Sequence, residues 1–230
     1  MDLQGFGHLL ISGAWVTVQL ALASLIVGLM FGLMGAAAKL SPFRVLRGMA
    51  TFYTTVVRGI PELLLVLTLY FGGSQLLMWF MGFFGYEEYI EISPFIAGVG
   101  ALSIAFGAYA TEVFRMAMLA IPKGQWESAY AFGMSPLQTF FRVILPQLWR
   151  LAIPGLGNLF QVLLKDTALV SVVGLNDLMR QAYVASGSTK EPFTFYMAAA
   201  CIYLGLTVLA TLTTQWFERR AGPAGKGART

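Results

Sequence analysis

The chain has 230 residues, of which 57% are hydrophobic and only 11% charged. A soluble domain carries about a quarter of its residues as charged; with a mean hydropathy of +0.71, this composition excludes a water-soluble globule and predicts an all-α polytopic membrane protein. The formal charge of +4 does not mark a nucleic-acid binder, because the basic residues sit in loops beside apolar runs.

Five spans are predicted in one transmembrane domain over residues 1–230. The first runs from about Leu9 to Ala38 and carries Gly28, Gly32 and Gly35, a spacing that lets helices approach closely but designates no particular dimer. Ala36-Ala37-Ala38 resembles a signal-peptide cleavage site. The acidic N-terminus and the length of the run instead predict a retained span. Ser41-Pro42 is read as the cap of a second helical stretch reaching about Met81. Roughly 40 helical residues would be about 60 Å long, twice a hydrocarbon core, so a break is expected at Gly59 and Pro61. Tyr86 to Ile92 reads as an outer loop, and the third span follows from about Pro94 to Ala120.

The polar stretch over residues 122–136 separates the third span from the fourth. Pro122 and Gly124 end one helix, a two-turn helix is expected from about Gln125 to Phe132, and Gly133 suits its left-handed stop. Ser135 then reads as an N-cap, with Pro136 at the first helical position and Gln138 closing a capping box. So short a helix is marginal by itself; one carrying Trp126, Tyr130 and Phe132 is expected to dock in a groove on a partner. The plainer alternative is an ordinary re-entry turn. The fourth span is expected from about Gln147 to Val173, with kinks at Pro154 and Gly155-Leu156-Gly157. A polar loop over Gly174–Glu191, a fifth span from about Pro192 to Phe217 and a flexible basic tail over residues 218–230 complete the chain.

With the N-terminus outside, the cytoplasmic segments hold Lys39, Arg44, Arg47, Arg115, Lys123, Arg142, Arg150, Arg219, Arg220, Lys226 and Arg229. The outer loops hold Arg180 and Lys190 alone. This positive-inside asymmetry places the 122–136 stretch in the cytoplasm. Cys201 is the single cysteine and is expected to be a buried thiol; His8, the single histidine, has no ligand-spaced neighbours, so no metal site is indicated.

Arg58, Glu62, Lys165 and Asp166 fall within apolar segments, where charge is costly and marks an interior or a water-filled pathway. Arg58 and Glu62 could pair across one helical turn if Pro61 leaves it closed. Glu112 and Arg115 read as an inward structural pair. Lys165 and Asp166, being adjacent, project about 100° apart and cannot both face one cavity.

Glu127-Ser128-Ala129, then Gly133 and Ile144-Leu145-Pro146, resembles the EAA loop of ABC importer permeases, with Ser128 standing where the family name has alanine. Residues 53–64, which include Arg58-Gly59-Ile60-Pro61-Glu62, resemble the RGxP segment of polar amino acid permeases. Residues 164–171 and 190–193 extend that resemblance over nearly the whole chain, toward one permease chain of histidine/lysine/arginine/ornithine importers.

The resemblance implies an ATPase-coupling helix using Gln125, Trp126, Glu127, Ala129, Tyr130, Phe132 and Gly133. It also implies a substrate pathway with Asp166, Glu62, Arg58 and Lys165 as candidates, where Asp166, with Glu62, would face a cationic amino acid. The structural alternative is that Glu62 neutralises Arg58 and Asp166 neutralises a neighbouring helix. Further implications are a dimer of ATPase subunits, a second permease chain (homologous rather than identical), an extracytoplasmic substrate-binding protein and a bacterial inner-membrane location in lipid. No cofactor is expected on this chain, with ATP and Mg on the partner ATPase, in keeping with the lack of a G-x-x-x-x-G-K-[ST] loop. The competing classes are an ion-gradient-driven secondary transporter or channel subunit, for which no internal repeat is visible, and a membrane enzyme, for which no nucleophile–base pair is visible.

Overall fold

The computed structural model describes residue 3 and residues 5–85 and 92–222. Among them there is no strand. In chain order the helices are α1 (Gly7–Leu40), α2 (Arg44–Gly59), α3 (Glu62–Gly82), α4 (Pro94–Leu119), α5 (Lys123–Ala131), α6 (Pro136–Val173), α7 (Leu178–Thr189) and α8 (Pro192–Ala221). Five of them, α1, α3, α4, α6 and α8, are long and apolar enough to cross a membrane.

The core is built on α1 against α4. They run parallel: Ser103 donates to the Ser24 carbonyl at 3.2 Å, and Gly28, Gly32 and Gly35 meet Phe106, Ala110 and Thr111 in rising order. A Cβ on Gly35 would stand 2.2 Å from Thr111 Oγ1, so the backbone approaches as only glycine permits. The glycine spacing therefore serves packing within the chain. α6 closes this core with Leu148, Ala152, Leu156 and Leu163, beside Phe114 and Leu102 of α4.

Several boundaries differ from the sequence reading. The break between α2 and α3 falls where Gly59 and Pro61 placed it, with Ile60 extended. Ser41, however, closes α1 rather than opening α2: its N–H donates to the Ala38 carbonyl at 3.2 Å, its Oγ accepts from the Phe43 N–H at 3.2 Å, and α2 starts after it. α6 begins at Pro136 rather than near Gln147, because a wide π-turn over Phe140–Ile144 accommodates Pro146, which has no N–H to give Arg142. The helix then continues unbroken through Pro154 to Asp166 and tightens into a 3₁₀ segment, Thr167–Val173.

The expected polar loop before α8 instead contains α7, which packs between α1 and α8. Its buried face is Leu178, Ala182, Ala185 and Ser186, mostly too small to register as a hydrophobic stripe. α8 extends through Arg220 to Ala221, and Cys201 on it is exposed rather than buried. The remainder of the basic tail lies outside the described residues, as does the outer loop except Ile92.

Candidate functional site: the α5 elbow and an acidic recess

α5 is held rigidly at both ends. Ile121, just before it, is buried in the core. At its C-terminus the Met134 N–H donates to the Ala129 carbonyl at 3.1 Å and the Gly133 N–H to the Tyr130 carbonyl at 2.9 Å. This is a Schellman closure, and Gly133 takes it up at φ +74. One residue later Ser135 and Gln138 form the reciprocal capping box, with bonds of 3.0 and 3.3 Å, and Pro136 opens α6. Two consecutive stop-and-start motifs join α5 to α6 with no flexible spacer.

The faces of α5 divide the sequence-predicted set. Ala129 is buried and Trp126 packs against the main core. Gln125 accepts from Gln147 Nε2 at 3.1 Å. These three fasten α5 to its own chain. Glu127 is exposed, Tyr130 is half exposed, and Phe132 is 85% exposed. Leu137 and Phe141 at the start of α6 are also exposed and extend this apolar surface; sequence reasoning missed both, because each read as ordinary helix content. An aromatic patch of this kind on a rigidly anchored helix is suited to seating in a partner's groove.

A second feature lies within the bundle. Glu62, in the first turn of α3, and Asp166, where α6 tightens, line one small recess with Tyr109, Phe106, Leu159 and Val162. Neither carboxylate belongs to the ion pairs found among the described residues, which are Lys39–Glu112 and Arg115–Glu112. Arg58 does not pair with Glu62: the helix ends at Gly59, and the guanidinium lies over the Tyr109 ring, 5.1 Å from its centroid. That ring partner was not visible in sequence, since it comes from a separate helix. Lys165 turns away from Asp166 and lines a different recess with Met179, Tyr196 and Tyr203.

The inward Glu112–Arg115 pair is present, at 2.9 Å, and Lys39 joins it from the end of α1. This tie lies at the same end of α4 that leads into α5, and it locks the ends of α1 and α4 together. Among the described residues no cluster of His, Cys, Asp and Glu could hold a metal.

An all-helical, five-span subunit with an exposed, braced helix between its third and fourth spans belongs to the class of polytopic transport subunits. The chain is a member of the family of binding-protein-dependent transport system inner membrane components, which it matches over residues 25–223. It is 48% identical over 227 residues to the nopaline transport system permease protein NocQ of Agrobacterium fabrum, covering 98% of this chain and 95% of that one. It is 44% identical to the arginine ABC transporter permease protein ArtQ of Escherichia coli, over 92% of this chain and 94% of that one. Identity to the histidine/lysine/arginine/ornithine transport system permease protein HisQ of Salmonella typhimurium is 43%, covering 95% of each.

Among solved structures, a crystal structure of an amino acid ABC transporter with histidines superposes with a TM-score of 0.78 at 36% identity, over 92% of this chain and 94% of that one. The inward-facing MetNI methionine ABC transporter shares the fold at a TM-score of 0.73 and 19% identity, over 94% of this chain and 97% of that one. The protein is thus a transmembrane permease subunit of an ABC importer.

Proposed function

We propose that the chain is one permease subunit of a bacterial inner-membrane importer for basic amino acids, powered by ATP hydrolysis on a partner chain. The observation that carries the coupling is the rigid α5 elbow with its aromatic face outward. Ala129 and Trp126 fasten it inward while Tyr130, Phe132, Leu137 and Phe141 stand free. When ATP draws two ATPase subunits together, a helix seated in each cleft moves with it. The Schellman closure and the capping box pass that shift to α6, whose far portion bears Asp166.

The substrate class rests on the recess. Two carboxylates that belong to no ion pair among the described residues favour a guanidinium or ammonium group by charge. Relatives named for arginine and for histidine/lysine/arginine/ornithine transport support the same class. Gln125, Glu127 and Gly133 then position or flank the ATPase contact, whereas Arg58 and Lys165 stand beside the pathway. The exposed apolar faces of α3 and α8 support lipid contact and a homologous second permease chain, and an extracytoplasmic binding protein delivers the substrate.

Affinity purification of the tagged chain from native membranes tests this assembly. It should bring down an ATPase and one further permease chain. Recovery of the chain without an ATPase under gentle detergent would overturn the coupling role.

A further inference from the structure

The recess between Glu62 and Asp166 has a volume of about 20 Å³, room for about one water-sized group, so only the tip of an amino acid's side chain enters it. The substrate's α-carboxylate is left at the mouth. There it is an anion at membrane depth, beside two carboxylates that repel it, and it needs a cation of its own. Lys165 lines a different recess, whereas Arg58 lies over Tyr109, which is part of the wall of this one.

The α2 helix sets that position. The Tyr53 hydroxyl donates to the Ile104 carbonyl at 2.8 Å, which fixes α2 against the middle of α4, and Ala50 and Thr54 are buried on the same side. At about 100° per residue, Arg44, Arg47, Thr51, Thr55 and Arg58 recur on one face, and all five are exposed. Val45, Met49, Phe52 and Val56 form a separate exposed stripe about a third of a turn away. The apolar stripe suits lipid or a neighbouring chain, and the polar one, which ends at Arg58, suits water.

Arg58 therefore stands on the wet side of α2, and it belongs to neither ion pair found among the described residues. Contact with the Tyr109 ring occupies none of its N–H donors in a hydrogen bond, so the planar fork remains available to a carboxylate. A basic amino acid carries two cations and one anion. Asp166, Glu62 and Arg58 offer two carboxylates and one guanidinium.

We propose that Arg58 is a specificity-determining residue that grips the substrate's α-carboxylate at the mouth while the side-chain cation enters the recess. The pathway then accepts basic amino acids and discriminates against the corresponding amines. This rests on the reading of the recess given under the proposed function.

Calorimetric titration of the co-purified permease–ATPase assembly in nanodiscs, without binding protein, tests it with two ligands: arginine, and agmatine, which is arginine without its carboxylate. The affinity followed is that of the binding component which Asp166→Asn weakens. The wild type should bind arginine about 10- to 100-fold more tightly than agmatine. Arg58→Gln should weaken arginine by about that factor and leave agmatine unchanged, and Arg58→Lys should recover part of the loss, as a charge without the planar fork. Asp166→Asn should weaken both ligands alike, since both carry the guanidinium. Equal affinities in the wild type, or an equal loss of both ligands in Arg58→Gln, would overturn the role of Arg58 and leave the recess standing. Binding of both ligands unmoved by Asp166→Asn, or an assembly that binds neither, would overturn the recess and this proposal with it.

Discussion

Replacing Phe132 by alanine separates docking from folding. The side chain is 85% exposed, and its neighbours across the Schellman turn are held by backbone bonds that the substitution leaves intact. If α5 seats in an ATPase cleft, docking covers that ring. A phenylalanine offers ~200 Å², so about 170 Å² is available here; subtracting roughly 70 Å² for the alanine leaves ~100 Å², or about 2.5 kcal/mol at ~25 cal/mol per Å². That is about a 70-fold weaker affinity for the ATPase subunit. The assay is titration of purified ATPase against the permease assembly in nanodiscs, wild type beside variant. A thermal melt of the permease should stay unchanged, since an exposed position costs at most about 0.5 kcal/mol. A loss of affinity below about threefold with the fold intact would refute the docking role of this face.

Asp166→Asn should lower uptake of arginine by roughly 10- to 100-fold, the effect of losing a buried charge-assisted contact; Glu62→Gln should do the same more weakly, and uptake assays in vesicles check both. Gly35→Ala drives a methyl group into Thr111 and should cost about 1–3 kcal/mol, seen as a lower melting temperature that Thr111→Ala partly restores. Ser135→Ala removes one bond of the capping box and should cost about 1 kcal/mol; if the elbow transmits force, uptake should fall while ATP hydrolysis persists. Asp177 holds its proton more tightly folded than free, so its destabilising charge is absent at low pH and fully present above about 6. Asp177→Asn should therefore stabilise the assembly by about 3 kcal/mol near neutral pH and by little near about pH 4, measured by melts at both.

Local chemistry made the elbow legible in sequence. Pro122, Gly133, Ser135, Pro136 and Gln138 each dictate a backbone state by themselves, and all five appear where that chemistry requires. The break at Gly59-Ile60-Pro61 was readable for the same reason. What escaped depends on packing between distant segments. Lys39 reaching Glu112, Tyr109 under Arg58, and Thr17 accepting from the Leu178 N–H each join residues far apart in the chain, with no local pattern to announce them. α7 escaped because alanine and serine supply its buried face, although Asp177 ahead of Leu178 was an available N-cap signal. The divergence of Lys165 from Asp166 followed from helical geometry alone and is observed.

The central claim is that this chain moves a basic amino acid through force delivered at α5. Its most direct test is uptake of labelled arginine into proteoliposomes holding the co-purified assembly, with binding protein outside and ATP inside. Uptake that requires enclosed ATP and collapses in the Phe132→Ala variant is the predicted result. Uptake driven by an ion gradient without ATP, or ATP-driven uptake indifferent to the α5 face, would contradict it.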